Sequence, residues 1–447
     1  KSVIGLDAAG ASSAVPLQVG ADFGTRYARN GWGSGLTILT AMANILPILR
    51  PEDRPRALYQ GLTHVARETA GQAPAFMQEP LPTSERRPEV FKRWFRQFVE
   101  VRDRDGAERV LRTAVAVGLP MPVVADIVFS AATDHFYIDF GHSLDFANKA
   151  FEMLDLIGWE HAGELLPSIV PRLTGARRSE ELASWRHPMD LAKLLWSAFE
   201  ELPALLERGQ RATAHWEGRG ELVETLLRDN PVDSINALKT SLADGATPEQ
   251  LASAVAYAAA RRIAHFHTAN EFGDWDTVLH TFTYAHAVHQ AVRRAPSVEM
   301  LRGVFDAAMS VYLDRFLNMP PAALPHPNGA RSNSLDTLLD MLNRQQQVNE
   351  AGRFVSDYLT SGGDDAALLA TLGHALLRED ADFHTFQVVE AGFRQYQALL
   401  GTEEGRVVLI AVARYLAAHC PTPRAMGQTY QIALRLHRGE ELYAEVE

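Results

Sequence analysis

One cysteine, Cys420, stands in a chain of 447 residues. A single thiol excludes an internal disulfide and any cysteine-ligated zinc or iron–sulfur cluster built from this chain alone, and a reducing cytoplasm is the expected home. Long apolar runs are also scarce. The most membrane-like stretch, WGSGLTILTAMANILPIL at 32–49, contains Ser34, Thr37, Thr40 and Asn44 and runs into Pro47, so a buried core helix is expected there instead of a membrane span. Positive charge is in deficit. The formal net charge of −12 argues against nucleic acid or an anionic membrane as partner, and no basic–aromatic patch offsets it. Lysine is rare, at Lys1, Lys92, Lys149, Lys193 and Lys239, which fits a GC-rich coding sequence. No nucleophile elbow, P-loop or dinucleotide glycine motif is present. The first twenty residues lack a basic segment followed by an apolar run, so no secretory signal is expected.

What the chain does have is helical periodicity. Hydrophobic residues make up 47% and charged residues 22%, the composition of a folded domain with a large core. In the 190–209 stretch Leu191, Leu194, Leu195 and Phe199 fall on one stripe. The 247–267 stretch opens with Thr247 and Gln250 in capping-box spacing, and 297–317 and 404–420 read the same way. Alternating β-type runs are few, and Asn328-Gly329 lies in a Pro-rich loop at 318–334. The expected fold is all-α, a single large multi-helix domain over 21–447 behind a short extension at 1–20, with fifteen or more helices. Apolar helices at 297–317 and 404–418 suit a homodimer or plain core packing equally well.

Against this background the segment HFHTANEFGDWDTVLH at 265–280 stands out, with three histidines and three carboxylates in sixteen residues. Two other segments echo it, DHFYIDFGHSLDF at 134–146 and DADFHTFQVVEAG at 380–392. If 135–149 is one helix, His135, Asp139 and His142 share a face, with Phe146 and Lys149 continuing the stripe. Gly141 inside that helix costs roughly 1 kcal/mol against alanine, which suggests close packing there. Gly273 and Asp274 are read as the end of one helix and the start of the next, so that His267 with Glu271 and then His280 with Tyr284 surround a corner above Trp275. His286 and His289 point away from His280. Asp380, His384 and Gln387 share a third face, with His374 beside it. Each residue has a plain reading as a satisfied core or solvated group, Lys149 for instance as the partner of Asp145 at i−4. Convergence of all three segments would instead make a buried histidine site between helices. Non-haem iron suits such a site, and manganese or zinc also fits its ligand types.

At these residues the chain resembles the questin oxidase-like family of helical oxygenases. The family's His-Pro-Leu-Ile-His-Leu-Gly stretch is similar to HFYIDFG, which keeps His135, Ile138 and Gly141 and has Asp139 at the second histidine. Its late Asp-Ala-His-Val-x-Lys motif is similar to DFHTFQ, which keeps Asp382 and His384 and has Gln387 at the lysine. A histidine pair of the family looks like His267 and His280, while its N-terminal histidine cluster has no counterpart in NGWGSGLTILTAMAN at 30–44. The same stretch, with GDWDT and YLDRFLN, also resembles the helical region that accompanies a Rieske domain in some actinobacterial proteins. With one cysteine, any such cluster belongs to a separate electron-transfer partner.

The resemblance implies an iron-dependent oxygenase that opens or hydroxylates an aromatic polyketide with O2. On this expectation His135, His142, His267, His280 and His384 hold or surround a non-haem Fe2+ ion. Asp139 or Glu271 acts as ligand or base, Tyr284 and Lys149 stand beside the substrate, and Phe136, Tyr137, Phe272, Phe383 and Tyr284 form pocket walls. Two other classes stay open: a helical binding or scaffold protein, in which the histidines do not converge, and a metal-dependent hydrolase or isomerase.

Overall fold

The computed structural model describes residues 1–325 and 334–440, with every side chain in that range except that of Phe272. Among the described residues every regular element is helical, and they form a single all-α domain. Part of the 318–334 loop lies outside the described residues. The Leu191–Gln210 helix starts where Asp190 accepts the Lys193 N–H, and it lays Leu191 and Leu195 into the core. Thr247 and Gln250 close their capping box at the head of Pro248–Ala264. The boundary drawn at residue 20 falls inside the Ala14–Tyr27 helix, whose Leu17 and Ala21 are buried in the common core.

The apolar run at 32–49 is the buried Ser34–Ile45 helix. Its hydroxyls bond back to their own helix, Thr37 to the Gly33 carbonyl and Thr40 to the Leu36 carbonyl, so burial leaves them satisfied. No described helix is long and apolar enough to cross a membrane.

Four helices surround the centre: Ser34–Ile45, His142–Ile157, Phe272–Arg294 and Phe383–Ala398. Two of them pair rung by rung. His142 faces His384, Asp145 meets Gln387, Lys149 meets Glu390 and Glu152 meets Arg394. The numbers rise together on both helices, so the two run in the same direction with their N-termini at the histidine end. The Phe272–Arg294 helix follows the same course, with His280 beside His142 and Gln290 beside Arg394.

The expected helix through 135–149 is interrupted. Met121–Ala132 ends before His135, and a new helix starts at His142. Between them the backbone is left-handed at Tyr137 (φ +43°), Asp139 (φ +51°), Phe140 (φ +54°) and Gly141 (φ +89°). Such conformations cost about 1–3 kcal/mol at each non-glycine residue and persist only when neighbours enforce them. The enforcement is visible. Phe136 N–H donates to Glu180, Tyr137 N–H donates to Asp306, Asp139 N–H donates to the Arg177 carbonyl, and the Ser179 hydroxyl donates to the Tyr137 carbonyl. His135, Asp139 and His142 therefore share no helical face.

The second expected corner is displaced. Pro248–Ala264 ends at His265, and the next helix starts at Phe272 with Glu271 and Asp274 as its capping box. Gly273 thus lies in the first helical turn. The turn is at 265–271, and Trp275 does pack beneath it, with its ring 4.7 Å from that of Phe266.

Gly141 is tightly packed, but as the residue before a helix. A Cβ there would stand 2.6 Å from Tyr284 Cβ, on a backbone that disfavours side chains. Gly141→Ala is expected to lower the unfolding free energy by about 2–4 kcal/mol in urea titrations.

Candidate metal centre

His142, His280 and His384 converge. One nitrogen from each lies within 4.8 Å of the others, although the three residues are far apart in the chain. His142 is the first residue of its helix, His384 lies in the first turn of Phe383–Ala398, and His280 is two turns into Phe272–Arg294. His280 Nδ1–H donates to the Asp276 carbonyl at 2.6 Å, which leaves Nε2 as a lone pair in the neutral ring. That Nε2 is 3.1 Å from His142 Nε2. Two imidazole nitrogens on one ion at roughly 2.0–2.1 Å stand about 2.9 Å apart at a right angle and about 3.4 Å at a tetrahedral one. The observed spacing falls between those values.

Electrostatics favour the ligand form of the rings. Burial, followed by the repulsion of His280, His384 and Arg172, pushes His142 down to about 3. Burial and His384 hold His280 at about 4, against the pull of the Asp276 carbonyl. His384 also belongs to a second group with Asp276 and Asp382, so carboxylate oxygens stand on the far flank of the site. Tyr415 O–H donates to Asp276 and the Thr385 N–H to Asp382, which fixes both carboxylates. The donor set therefore fits a divalent transition metal, with three imidazole nitrogens and carboxylate oxygen close by.

The other expected site residues do different work. His135 Nδ1 lies 2.7 Å from Glu180, and Nε2 2.9 Å from Glu100, so this ring is bracketed by two carboxylates outside the cluster. His267 accepts the Ala269 N–H at 3.0 Å within the turn. Glu271 caps a helix from an exposed position. Asp139 is half-buried, and burial raises its carboxyl against the pull of Arg172 and Arg177. Tyr284 donates to Asp306 at 2.7 Å behind the site. His374 pairs with Asp53, and Asp380 caps the Ala425–His437 helix, so neither joins His384. His286 and His289 do turn away, toward Gln395.

Lys149 is buried, but its partners are Glu152 at 2.9 Å and Glu390 at 3.0 Å, not Asp145. Asn44 donates to both glutamates at 2.8 and 2.9 Å, and Arg394 completes a cluster of two cations and two anions. Burial works against the Lys149 charge, but Glu152 and Glu390 outweigh it and hold the ammonium protonated. Lys149 is thus a structural counter-ion.

Beside the three imidazoles is a cavity of about 560 Å³, of which His280 forms part of the wall. Its aromatic surface comes from Tyr137, Phe140, Trp185, Tyr312 and Phe316. Its polar groups include Thr277, Thr281, Ser310 and Asp314. Phe140, Met189 and Phe316 are 39%, 39% and 61% exposed, so large apolar side chains reach solvent on this side. Of the expected walls, Tyr137 lines the cavity. Phe136 packs on Trp185, Trp196 and Phe199, and Phe383 flanks His142. The Phe272 side chain lies outside the described residues. Trp185, Tyr312 and Asp314 were not foreseen, because no sequence pattern ties 185 or 312–317 to the histidines. Asp276 had a legible signal, four residues before His280 on one helix.

Comparison of the chain with family models, curated proteins and solved structures gives no match.

Two outcomes test this geometry. Because the His142 and His280 rings stay neutral from pH 7.5 to 5.5, zinc affinity over that range is expected to fall far less than the roughly thousandfold loss three ordinary imidazoles would impose. Competition with a chromophoric chelator measures it. Lys149→Met is expected to cost about 3–5 kcal/mol in urea unfolding, since it leaves two buried glutamates to share the one cation Arg394, while the zinc affinity of the folded fraction stays unchanged.

Proposed function

We propose that this chain is a metal-dependent oxygenase, with an ion held by His142, His280 and His384 and an aromatic small molecule bound in the adjoining cavity. One observation carries the reading: three imidazoles from distant segments meet with two Nε2 atoms 3.1 Å apart, at the wall of an aromatic cavity. The likeness of DFHTFQ to the late motif of the questin oxidase-like family supports it through His384. Iron(II) in this histidine donor set would supply the one-electron chemistry through which dioxygen reacts with an aromatic ring. The chain's own residues bind and orient. The Asp276 carbonyl aims His280, the left-handed segment at 137–141 places His142, and the aromatic walls exclude water from the reacting partners. A separate donor would provide any further electrons, since the one cysteine is buried and can build no relay.

A metal-dependent hydrolase or isomerase is the second reading, because three histidines also suit catalytic zinc. The aromatic walls favour the oxygenase, which has an aromatic substrate to explain them.

The test is metal analysis after anaerobic loading with iron(II), followed by oxygen-electrode traces with hydroxylated anthraquinones. Near-stoichiometric iron is expected, lost in His142→Ala, His280→Ala and His384→Ala and kept in His135→Ala and His267→Ala. Protein that takes up no metal sinks both metal readings. Metal binding without substrate-dependent oxygen uptake, together with hydrolysis supported by zinc, moves the second reading to first place.

A further inference from the structure

His384 belongs to a second set of donors that the three-imidazole centre does not use. Ligand atoms of Asp276, Asp382 and His384 lie within 4.8 Å of one another, and this set shares only His384 with the first. Two helices supply it. Asp276 is one turn before His280 on Phe272–Arg294, and Asp382 is the N-cap of Phe383–Ala398, two residues before His384. Asp276 is not spent on capping, since Glu271 and Asp274 form the capping box of its helix. The set is open to solvent, with Asp382 exposed and Asp276 and His384 half-buried, so an ion can reach it without any rearrangement of the core.

Each carboxylate is held by neutral donors on one oxygen alone. Asp276 Oδ1 accepts the Tyr415 O–H at 3.2 Å, and Asp382 Oδ1 accepts the Thr385 N–H at 2.9 Å and the Thr385 hydroxyl at 2.7 Å. Among the described residues no lysine or arginine pairs with either group, and Oδ2 of each makes no hydrogen bond. His384 meets its neighbours as a ring, against His142, His280 and Phe383, and neither of its nitrogens is hydrogen-bonded among the described residues. Two negative charges this close repel, and a cation between them removes the repulsion. The N-termini of the two helices oppose a cation with about half a positive charge each, less than the two full charges that favour it. The set is more than acidic, because the imidazole adds a nitrogen donor of the kind transition metals take.

We propose that Asp276, Asp382 and His384 form a second divalent-cation site, with two carboxylate oxygens and one imidazole nitrogen as protein ligands and water completing the shell. The oxygen majority suits manganese(II) better than three imidazoles do. The inference goes beyond the single ion of the function proposed above and does not rest on it, since this set is complete without His142 and His280. Filling both sets at once takes both His384 nitrogens, so the N–H proton of the ring passes to solvent as the second ion binds.

The experiment is titration of the metal-free full chain with manganese(II), followed by the loss of the free-ion electron paramagnetic resonance signal. The wild type is expected to bind manganese and to show nitrogen hyperfine coupling on the bound ion. The double variant Asp276→Asn, Asp382→Asn removes both charges, and its affinity should fall by about tenfold or more. Asparagine keeps an acceptor for Tyr415 and for the Thr385 N–H, and the Asp276 backbone carbonyl that holds His280 is untouched, so this variant should fold and take up zinc as the wild type does. His142→Ala, which breaks the first set, should leave manganese affinity unchanged, and His384→Ala should abolish the nitrogen coupling. Thermal melts establish that each variant is folded, and if an alanine variant is not, the asparagine pair and the wild-type spectrum decide. No manganese binding in the wild type, undiminished affinity in the asparagine pair, or loss of manganese in His142→Ala overturns the proposal. Zinc uptake by the same variants reports separately on the three-imidazole centre. Manganese binding with no zinc uptake sinks that centre alone, and zinc uptake with no manganese binding sinks the second site alone.

Discussion

The rest of the structure depends on a buried ionic cluster, Lys149 and Arg394 with Glu152 and Glu390, bridged by Asn44 at the crossing of four helices. Charges taken out of water are tolerable only when paired closely, and breaking one pair leaves the other charge uncompensated. A hydrophobic seam between the His142–Ile157 and Phe383–Ala398 helices would permit a slip of one turn. A seam in which Lys149 must meet Glu390 and Glu152 must meet Arg394 does not. Asp145 and Gln387 form the next rung, and His142 and His384 the one after that. The His142 and His384 imidazoles are therefore placed by interactions deep in the core.

The third histidine is placed differently. His280 is set by its own helix, whose Asp276 carbonyl fixes the ring, while the strained segment at 137–141 brings the His142 helix against Tyr284. That strain has a use. A straight helix from Met121 onward would have put the 135 and 142 positions on one rod. The left-handed turn instead starts a new helix at the centre and sends Tyr137 and Phe140 to the cavity. One irregular stretch thus places both a histidine of the cluster and part of the aromatic wall.

The sequence was informative where the physics is local. Capping at Thr247, the apolar stripe from Leu191 and the polar interruptions of 32–49 depend on near neighbours, and each appears as read. His142, His280 and His384 were legible as an unusual density of imidazole beside carboxylate. His135 and His267 carried the same signal and are used elsewhere, the first between two glutamates and the second inside a turn. Residue type and spacing cannot separate these cases. The misread helix at 135–149 shows why: its pattern is helical, and what breaks it comes from Glu180, Arg177, Ser179 and Asp306, all far along the chain.

The sequence by itself determined an all-α fold, the impossibility of a disulfide within the chain and the three segments where imidazoles gather. These follow from periodicity and composition, which need no knowledge of distant contacts. Only the tertiary structure decided which histidines meet, that Lys149 is a counter-ion, and that Trp185, Tyr312 and Asp314 share a cavity with His280. Those outcomes are set by helix register and by hydrogen bonds across scores of residues. The free energy that selects them belongs to the packed whole and to no single segment.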